Sequence, residues 1–484
     1  MKKNTVRVRF APSPTGMMHL GGIRTALMNY LFARKYKGTY IVRIEDTDQK
    51  RDFDPGGKHI ISDLLWLGLE HDEGPDKGGP HEPYLQSQRG HLYKEKLEYL
   101  IQNNFVYRCF CTIEQLEKKR KRQEALKLPP RYDRTCLALE PTEIQAQLNS
   151  KNPFVWRIKL DHEQTIKIND LAHKVIQFEL KNFSDFPITR QDGTFTFMFA
   201  NFVDDFMMNI THVFRGEDHL TNTAGQGALY QFFKKEPPIF WHMPIICNVD
   251  GKKLSKRDFG FSLRDLQNAG FLPEAINNYL AIIGSSVEQE IMSLDELAQS
   301  LNLEHPNPTG QIKYDIEKLK WVNHKWIARY STAQLAQACR PYLQQAYQEA
   351  QNINDTLLAS LLEPIQSDLI TLTDVIPALK FYFNEPTISS ADIEACISKE
   401  NREFIGKVIE ESLPILDNSA SFVENIKKIA QEKKIPLKEF FWLLRLGLMG
   451  QTNGPAVHYL INMIGTQQAR IRIQSALDLL RRVT

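Results

Sequence analysis

Residues 9–22 read Arg-Phe-Ala-Pro-Ser-Pro-Thr-Gly-Met-Met-His-Leu-Gly-Gly, and their pattern predicts a strand handing over to a helix. Val6, Val8 and Phe10 alternate with Arg7 and Arg9, which is the period of a half-buried strand. Pro12 and Pro14 each remove a backbone donor and fix φ, so residues 11–16 must form a rigid, irregular loop. Leu20, Ile23, Leu27 and Leu31 then fall at helical spacing, leaving Arg24 and Arg34 to the opposite face. Gly21 and Gly22 thus sit in a first helical turn, where glycine is a poor former. The pair predicts that something approaches the backbone closely, at the helix end whose free N–H groups favour an anion. A second strand over residues 39–44 completes a βαβ unit and ends in Glu45-Asp46-Thr47-Asp48. Ligands of such units bind outside the carboxyl ends of the parallel strands, which gathers Arg9, Ser13, His19 and Glu45.

A distant partner strengthens this reading. Lys253-Leu-Ser-Lys-Arg257 follows an Asp250-Gly251 turn, and a loop bearing Lys253 and Lys256 would close over a triphosphate held at the first helix. With both segments in view, residues 9–22 resemble the first signature of class I aminoacyl-tRNA synthetases and residues 253–257 the second. Arg-Ile-Glu-Asp-Thr-Asp at 43–48, Thr-His-Val-Phe-Arg-Gly-Glu-Asp-His at 211–219 and Asn-Tyr-Leu-Phe-Ala-Arg at 29–34 are similar to the bacterial-type glutamyl-tRNA synthetases. The resemblance spans nearly the whole chain, specific over the first 270 residues or so and looser beyond.

Composition agrees without deciding anything. A chain of 484 residues suggests about three domains. With 42% apolar and 24% charged residues it reads as an ordinary globular protein. The net charge of +2 means that a nucleic-acid partner would be held by local basic patches. The first ten residues lack the apolar core of a signal peptide and no run of 18 apolar residues occurs, so neither export nor membrane spanning is expected. Six scattered cysteines read as free thiols of a reducing cytoplasm.

The expected fold class is α/β: a Rossmann-like nucleotide-binding parallel sheet, an inserted α+β domain and an all-helical C-terminal region. Residues 1–88 and 195–255 form the catalytic sheet, with strands expected over 194–203 and 210–214; Phe195 to Phe199 reads as a strand buried on both faces. Residues 89–194 form the insertion, with strands over 154–160 and 175–180 and a hairpin signal at Asp192-Gly193. A helix should start at Pro273. The region 256–325 would then be a small helical domain and 326–484 a helical tail, its apolar positions including Leu357, Leu361, Leu362 and Leu369, then Ile426, Ile429, Phe440 and Leu444. The resemblance implies that the insertion cradles the acceptor end of the tRNA, that 256–325 touches its inner side and that the tail binds the anticodon.

Activating a carboxylic acid with ATP needs in-line attack on the α-phosphorus while charge builds on the departing pyrophosphate, so positioning and cationic stabilisation dominate. His19, Lys253 and Lys256 are the catalytic candidates, joined at the nucleotide by Gly21, Gly22, Ser255 and Arg257, with Mg²⁺ accompanying ATP. A planar guanidinium is the natural reader of a carboxylate, which singles out Arg9 and Arg215, with Glu45 for the α-ammonium. The alternative for either arginine is an internal ion pair with Asp204, Asp205 or Glu217. By resemblance Arg9, Ser13, Glu45, Asn201 and Arg215 match the family's glutamate site; Phe197 stands where the family has a tyrosine. Glu217, Asp218 and His219 should lie near the nucleotide or the tRNA end.

Cys109, Cys111 and Cys136 invite a zinc reading with Tyr132 as fourth ligand, because Ala138 occupies the family's fourth position; the alternative is three idle thiols. Lys118 to Arg122, Lys-Lys-Arg-Lys-Arg, reads as a solvated helix face paired with Glu114 and Glu117, or as a contact for tRNA phosphates. The resemblance implies a monomeric cytoplasmic enzyme that joins L-glutamate to tRNA(Glu) through glutamyl-adenylate. Rival readings are a glutaminyl enzyme or one that also charges tRNA(Gln), a nucleotidyltransferase, and a non-catalytic tRNA-binding protein.

Overall fold

The computed structural model describes residues 5–14, 16–47, 54–255, 257–284, 289–303 and 311–484. Lys256, expected at the phosphates, lies outside the described residues. The chain forms two compact units, Met1–Leu266 with Pro273–Ile316, and Gln267–Leu272 with Glu317–Thr484.

The first unit is built on the expected βαβ. Strand β1 (Arg7–Phe10) and β2 (Thr39–Val42) pair in parallel, Arg7 opposite Thr39 and Phe10 opposite Val42, with helix α1 (Leu20–Lys35) between them. The pairing continues past the strand ends, since Arg43 N–H donates to Phe10 O at 3.0 Å and Glu45 N–H to Pro12 O at 2.9 Å. That continuation is what lays Glu45 beside the proline loop. Leu20, Ile23, Leu27 and Leu31 are buried as their spacing requires. Arg24 is a correction: it is only 4% exposed, because α1 is enclosed on most sides and also buries Ala26, Met28 and Asn29. Arg34 does reach the surface, where it pairs with Asp72 at 2.9 Å.

After α2 (Lys58–Trp66) comes the segment expected as the insertion, which opens on α3 (Gly90–Gln102). It carries β3 (Val106–Cys109), α4 (Ile113–Ala125), α5 (Pro141–Asn149), β4 (Val155–Ile158), β5 (Thr165–Asp170) and β6 (Lys174–Glu179). β3 and β4 pair antiparallel, as do β5 and β6. Strand β5 buries Ile166, Ile168 and Asp170 on one face, the period-2 pattern of a sheet with one covered side.

The expected strand over 194–203 is overturned. Phe197–Met207 is a helix, α6, and it buries Phe199, Ala200, Phe202 and Val203 together with Asn201, Asp204 and Asp205. An apolar run buried on all sides has no period, so it does not separate helix from strand. The polar triplet at i, i+3 and i+4 holds the helical signature. Beyond it β7 (His212–Gly216), α7 (Leu220–Phe232), β8 (Ile239–Met243) and β9 (Ile246–Cys247) complete the sheet region. β7 and β8 are parallel, and β8 meets β5 where Phe240 faces Asp170, giving the order β6-β5-β8-β7. Thr211 N–H donates to Arg7 O at 3.0 Å, which brings the entry of β7 against β1. The insertion is therefore hydrogen-bonded into the catalytic sheet through β5. The helix expected at Pro273 runs from Pro273 to Ile282.

The second unit is helical from end to end among the described residues, closing on Thr466–Val483. Leu361, Leu362, Leu369, Ile426, Phe440 and Leu444 are buried in it, whereas Leu357 is exposed on the first turn of its helix.

Candidate active site

A cavity of about 370 Å³ opens at the carboxyl ends of β1, β7 and β8. Its wall includes Arg9, Ser13, Glu45, Phe197, Asn201 and Arg215 from the set expected to hold the amino acid, and His19, Gly21, Gly22 and Lys253 from the set expected at the nucleotide. Two segments more than two hundred residues apart thus share one cavity. Ser255 and Arg257 do not line it: the Ser255 hydroxyl donates to the Asp258 carboxylate at 2.9 Å, and Arg257 is exposed.

His19 is the N-cap of α1, its Nδ1 accepting the Gly22 N–H at 3.2 Å. The ring proton therefore resides on Nε2, free to donate. Burial and then the charge of Lys253 hold this imidazole below the ordinary histidine range, and it stacks on Phe261 at 5.5 Å. A Cβ at position 21 would come within 3.3 Å of the same ring, which gives Gly21 a local reason beyond ligand approach. Lys253 pairs with Asp218 at 3.0 Å across the cavity mouth.

At the other end lies a closed charge network. Arg43, wholly buried, reaches Glu45 at 3.0 Å and Asp205 at 2.8 Å; Arg89 reaches Asp204 at 2.6 Å; Arg9 reaches Asp205 at 3.1 Å. The internal ion pair is thus realised for Arg9, which nonetheless lines the cavity. Glu45 Oε1 accepts from Asn201 Nδ2 at 2.7 Å, Arg43 Nη2 at 3.0 Å and Gln86 Nε2 at 3.3 Å, while Oε2 takes no donor among the described residues. Burial pushes the Glu45 carboxyl up, against the pull of Arg43 and Asn201. Gln226 Nε2 in turn donates to Asn201 Oδ1 at 2.7 Å and sets the amide's orientation. The Phe197 ring lies 5.8 Å from His219.

Arg215 is different in kind. Its partners are neutral, the Thr223 hydroxyl at 2.6 Å and His242 Nε2 at 3.5 Å, with the guanidinium 5.1 Å from the Phe240 ring centre. Among the described residues no carboxylate stands within ion-pair distance of it. Burial, then the nearby Arg9, pushes its guanidinium down to about 9. Arg24 is a second buried cation in the wall: its Nη1 lies 3.5 Å from Pro244 O, its Nε has no partner among the described residues, and burial pushes it down to about 10. Sequence spacing had assigned Arg24 to the solvent face of α1. Thr223, on α7, lies outside the expected site and no sequence signal points to it, whereas Asp204 and Asp205 are among the ion-pair partners expected for the arginines.

A separate cluster lies in the insertion. Cys109, Cys111 and Cys136 bring their sulfurs within 4.8 Å of one another, and the Tyr132 hydroxyl lies 3.3 Å from Cys109 Sγ and 3.7 Å from Cys111 Sγ. A tetrahedral zinc with bonds of about 2.3 Å to sulfur places its ligands about 3.8 Å apart. The 3.6 Å between Cys111 and Cys136 is close to that edge. Hydrogen bonds from Cys136, Tyr132 and Arg157 pull the Cys109 thiol down to about 4 against the cost of burial, while the same contact with Cys109 pushes Cys136 up and burial pushes Tyr132 up, so without an ion the cluster favours one thiolate. The donor set fits zinc. The basic run on α4 is a solvated helix face with no buried residue, and its pairs are Arg120–Glu124 at 2.8 Å and Lys119–Asp133 at 2.9 Å.

Residues 5–342 match the family described as tRNA synthetases class I (E and Q), catalytic domain, and residues 334–477 match an anticodon binding domain. The chain belongs to the class I tRNA synthetases. This synthetase is 36% identical to glutamate–tRNA ligase 1 of Syntrophomonas wolfei, the match covering 99% of the chain and 98% of the relative. It is 34% identical to the glutamate–tRNA ligase of Moorella thermoacetica over 98% of both. A crystal structure of a glutamate tRNA ligase from Elizabethkingia meningosepticum in complex with its amino acid superposes with a TM-score of 0.88, at 31% identity, covering 98% of this chain and 99% of that one. The synthetase's α/β catalytic unit and helical C-terminal unit correspond to the two matched families. No described helix is long and apolar enough to cross a membrane.

Proposed function

We propose that this synthetase attaches L-glutamate to the 3′ end of tRNA(Glu) in two steps. A glutamate carboxylate oxygen attacks the α-phosphorus of ATP and pyrophosphate leaves; a hydroxyl of the terminal ribose then attacks the adenylate's carbonyl carbon and AMP leaves. The observation that carries the choice of amino acid is Arg215, a buried guanidinium facing a cavity with no carboxylate against it among the described residues. Arg9, Arg43 and Arg89 are each balanced by Glu45, Asp204 or Asp205. The side chain of glutamate supplies the missing anion, and glutamine does not.

In this reading Arg215 and Arg9 receive carboxylate oxygens, Glu45 Oε2 takes the α-ammonium, and Ser13, Phe197 and Asn201 shape the pocket. His19 Nε2–H and the ammonium groups of Lys253 and Lys256 stabilise charge on the phosphates. Losing one such donor costs on the order of 3 kcal/mol in the transition state. Mg²⁺ bound with ATP would supply further neutralisation of phosphate charge. Zinc held by Cys109, Cys111, Cys136 and Tyr132 would staple the segment carrying α4 to β3, a structural role. Residues 89–194 would hold the acceptor end, 256–325 the inner side of the tRNA and 326–484 the anticodon. We place the enzyme in the cytoplasm as a monomer.

The test is charging of purified tRNA(Glu) and tRNA(Gln) with labelled glutamate or glutamine. Glutamate on tRNA(Glu) is expected; transfer of glutamine in its place would overturn the reading, and glutamate on both tRNAs would assign a wider tRNA range to the helical unit. Pyrophosphate exchange that proceeds without any amino acid would point to a nucleotidyltransferase instead.

A further inference from the structure

We propose that Asp170, His242 and Thr223 form a one-way hydrogen-bond chain that positions Arg215 for the substrate carboxylate. The inference rests on the assignment of Arg215 to the amino-acid site. The four residues come from four elements: Asp170 ends β5 in the insertion, His242 lies in β8, Thr223 in α7 and Arg215 in β7. All are buried, Asp170 at 4%, Thr223 at 0% and His242 at 1% exposure.

The direction of the chain follows from the donors. Asp170 Oδ1 accepts the Ala172 and His173 N–H groups at 2.9 and 2.8 Å, and Oδ2 accepts the His242 backbone N–H at 3.0 Å. Surrounded by donors, the carboxyl is ionised: the hydrogen bonds from the His242 ring and the His173 N–H hold it below the usual carboxylate range against the cost of burial. Its remaining partner is His242 Nδ1 at 2.7 Å, which must therefore carry a proton. That leaves His242 Nε2 as an acceptor. The Thr223 hydroxyl lies 2.8 Å from it and 3.3 Å from the His219 carbonyl, so its single proton goes to the ring. The Thr223 oxygen is then left to accept from Arg215 Nη2 at 2.6 Å. Every link donates toward Asp170, an arrangement in which each bond polarises the next.

The consequence is geometric. Two guanidinium nitrogens are tied, Nη2 to Thr223 and Nε to His242 at 3.5 Å, and Nη1 is left without a protein acceptor among the described residues. The planar group is thereby fixed with one edge toward the cavity, without a carboxylate beside it to compete for the substrate. A direct Asp or Glu partner would fix the plane equally well and cancel the charge. A relay through a neutral imidazole and a hydroxyl fixes the plane and keeps the charge available.

The experiment uses the full-length enzyme in glutamate-dependent pyrophosphate exchange with tRNA present. Thr223→Val removes the hydroxyl at constant shape; Thr223→Ser restores it. Expected for Thr223→Val is a ten- to hundredfold rise in KM for glutamate, with KM for ATP within twofold; Thr223→Ser returns KM for glutamate to within threefold of wild type. Asp170→Asn should raise the same KM, and combining it with Thr223→Val should add nothing further. A Thr223→Val enzyme with normal KM for glutamate, equal losses for glutamate and ATP, or additive effects of the two changes would overturn the relay. Failure of wild-type enzyme to exchange with glutamate at all would instead remove the functional reading beneath it.

Discussion

Arg215→Met should make the ligand-free enzyme more stable while it abolishes amino-acid binding. The wild-type guanidinium is 6% exposed, and burial together with Arg9 moves it from 12.5 to about 9. At about 1.4 kcal/mol per pKa unit, that difference corresponds to roughly 5 kcal/mol held against the charged form. The contact with Phe240 and the bond to Thr223 are lost with the charge, so a net stabilisation of about 1–4 kcal/mol is expected, the range seen when buried ionic groups give way to apolar ones of similar volume. Binding moves the other way. Loss of one partner of a buried ion pair costs about 3–5 kcal/mol, which is a fall in glutamate affinity of roughly two to three and a half powers of ten. Urea denaturation with and without saturating glutamate measures both: the variant's midpoint should rise in the absence of glutamate and cease to respond to it. If Arg215→Met lowers the ligand-free midpoint, the guanidinium is a structural element of the core, and the assignment of its charge to a substrate fails.

Arg24→Met removes a second buried cation that has no anionic partner among the described residues, and from its shift to about 10 the ligand-free enzyme should gain up to about 3 kcal/mol, read by urea denaturation. Asp205→Asn leaves Arg9 and Arg43 facing a neutral amide and should cost about 3–5 kcal/mol by the same measurement. Although burial opposes it, Asp205 is held below the usual carboxylate range by Arg9 and Arg43, so its contribution is complete above about pH 4 and is lost as pH falls through its lower folded value. The acid limb of the stability curve should accordingly be shallower in Asp205→Asn. Cys136→Ser should eliminate stoichiometric zinc measured by atomic emission on protein purified without chelators, and lower the protease resistance of residues 109–136; full zinc content in the variant would discard the proposed ligand set.

The βαβ corner was legible because each of its signals is local. Two prolines, a pair of glycines beside a histidine and a change of period from 2 to 3.6 constrain the backbone within fourteen residues, and β1, α1 and β2 form within a residue or two of where that pattern puts them. The βαβ rule gathered Arg9, Ser13 and Glu45, and carboxylate chemistry singled out Arg215, but no spacing rule brings positions 9 and 215 together, and Asn201 was readable only through likeness to a family. The failures share one cause. Helix α6 is enclosed along its middle and α1 on most sides, and there hydrophobic periodicity weakens because little of either surface looks at solvent.

Asp170 shows why the remainder of the site was beyond local reading. Its neighbours in sequence, Asn169 and Leu171, say nothing of an active site, and the pattern of β5 assigns position 170 merely to the buried side of a strand. Its role arises from register: β5 meets β8 at Phe240, which sets His242 two residues further on against the Asp170 carboxylate. A one-residue slip would turn every side chain of β5 to the other face and leave His242 free to take either tautomer. The insertion would thereby reach the proposed amino-acid site through one hydrogen-bonded strand, and a substitution on β5 that shifts this register should change KM for glutamate without touching the cavity wall.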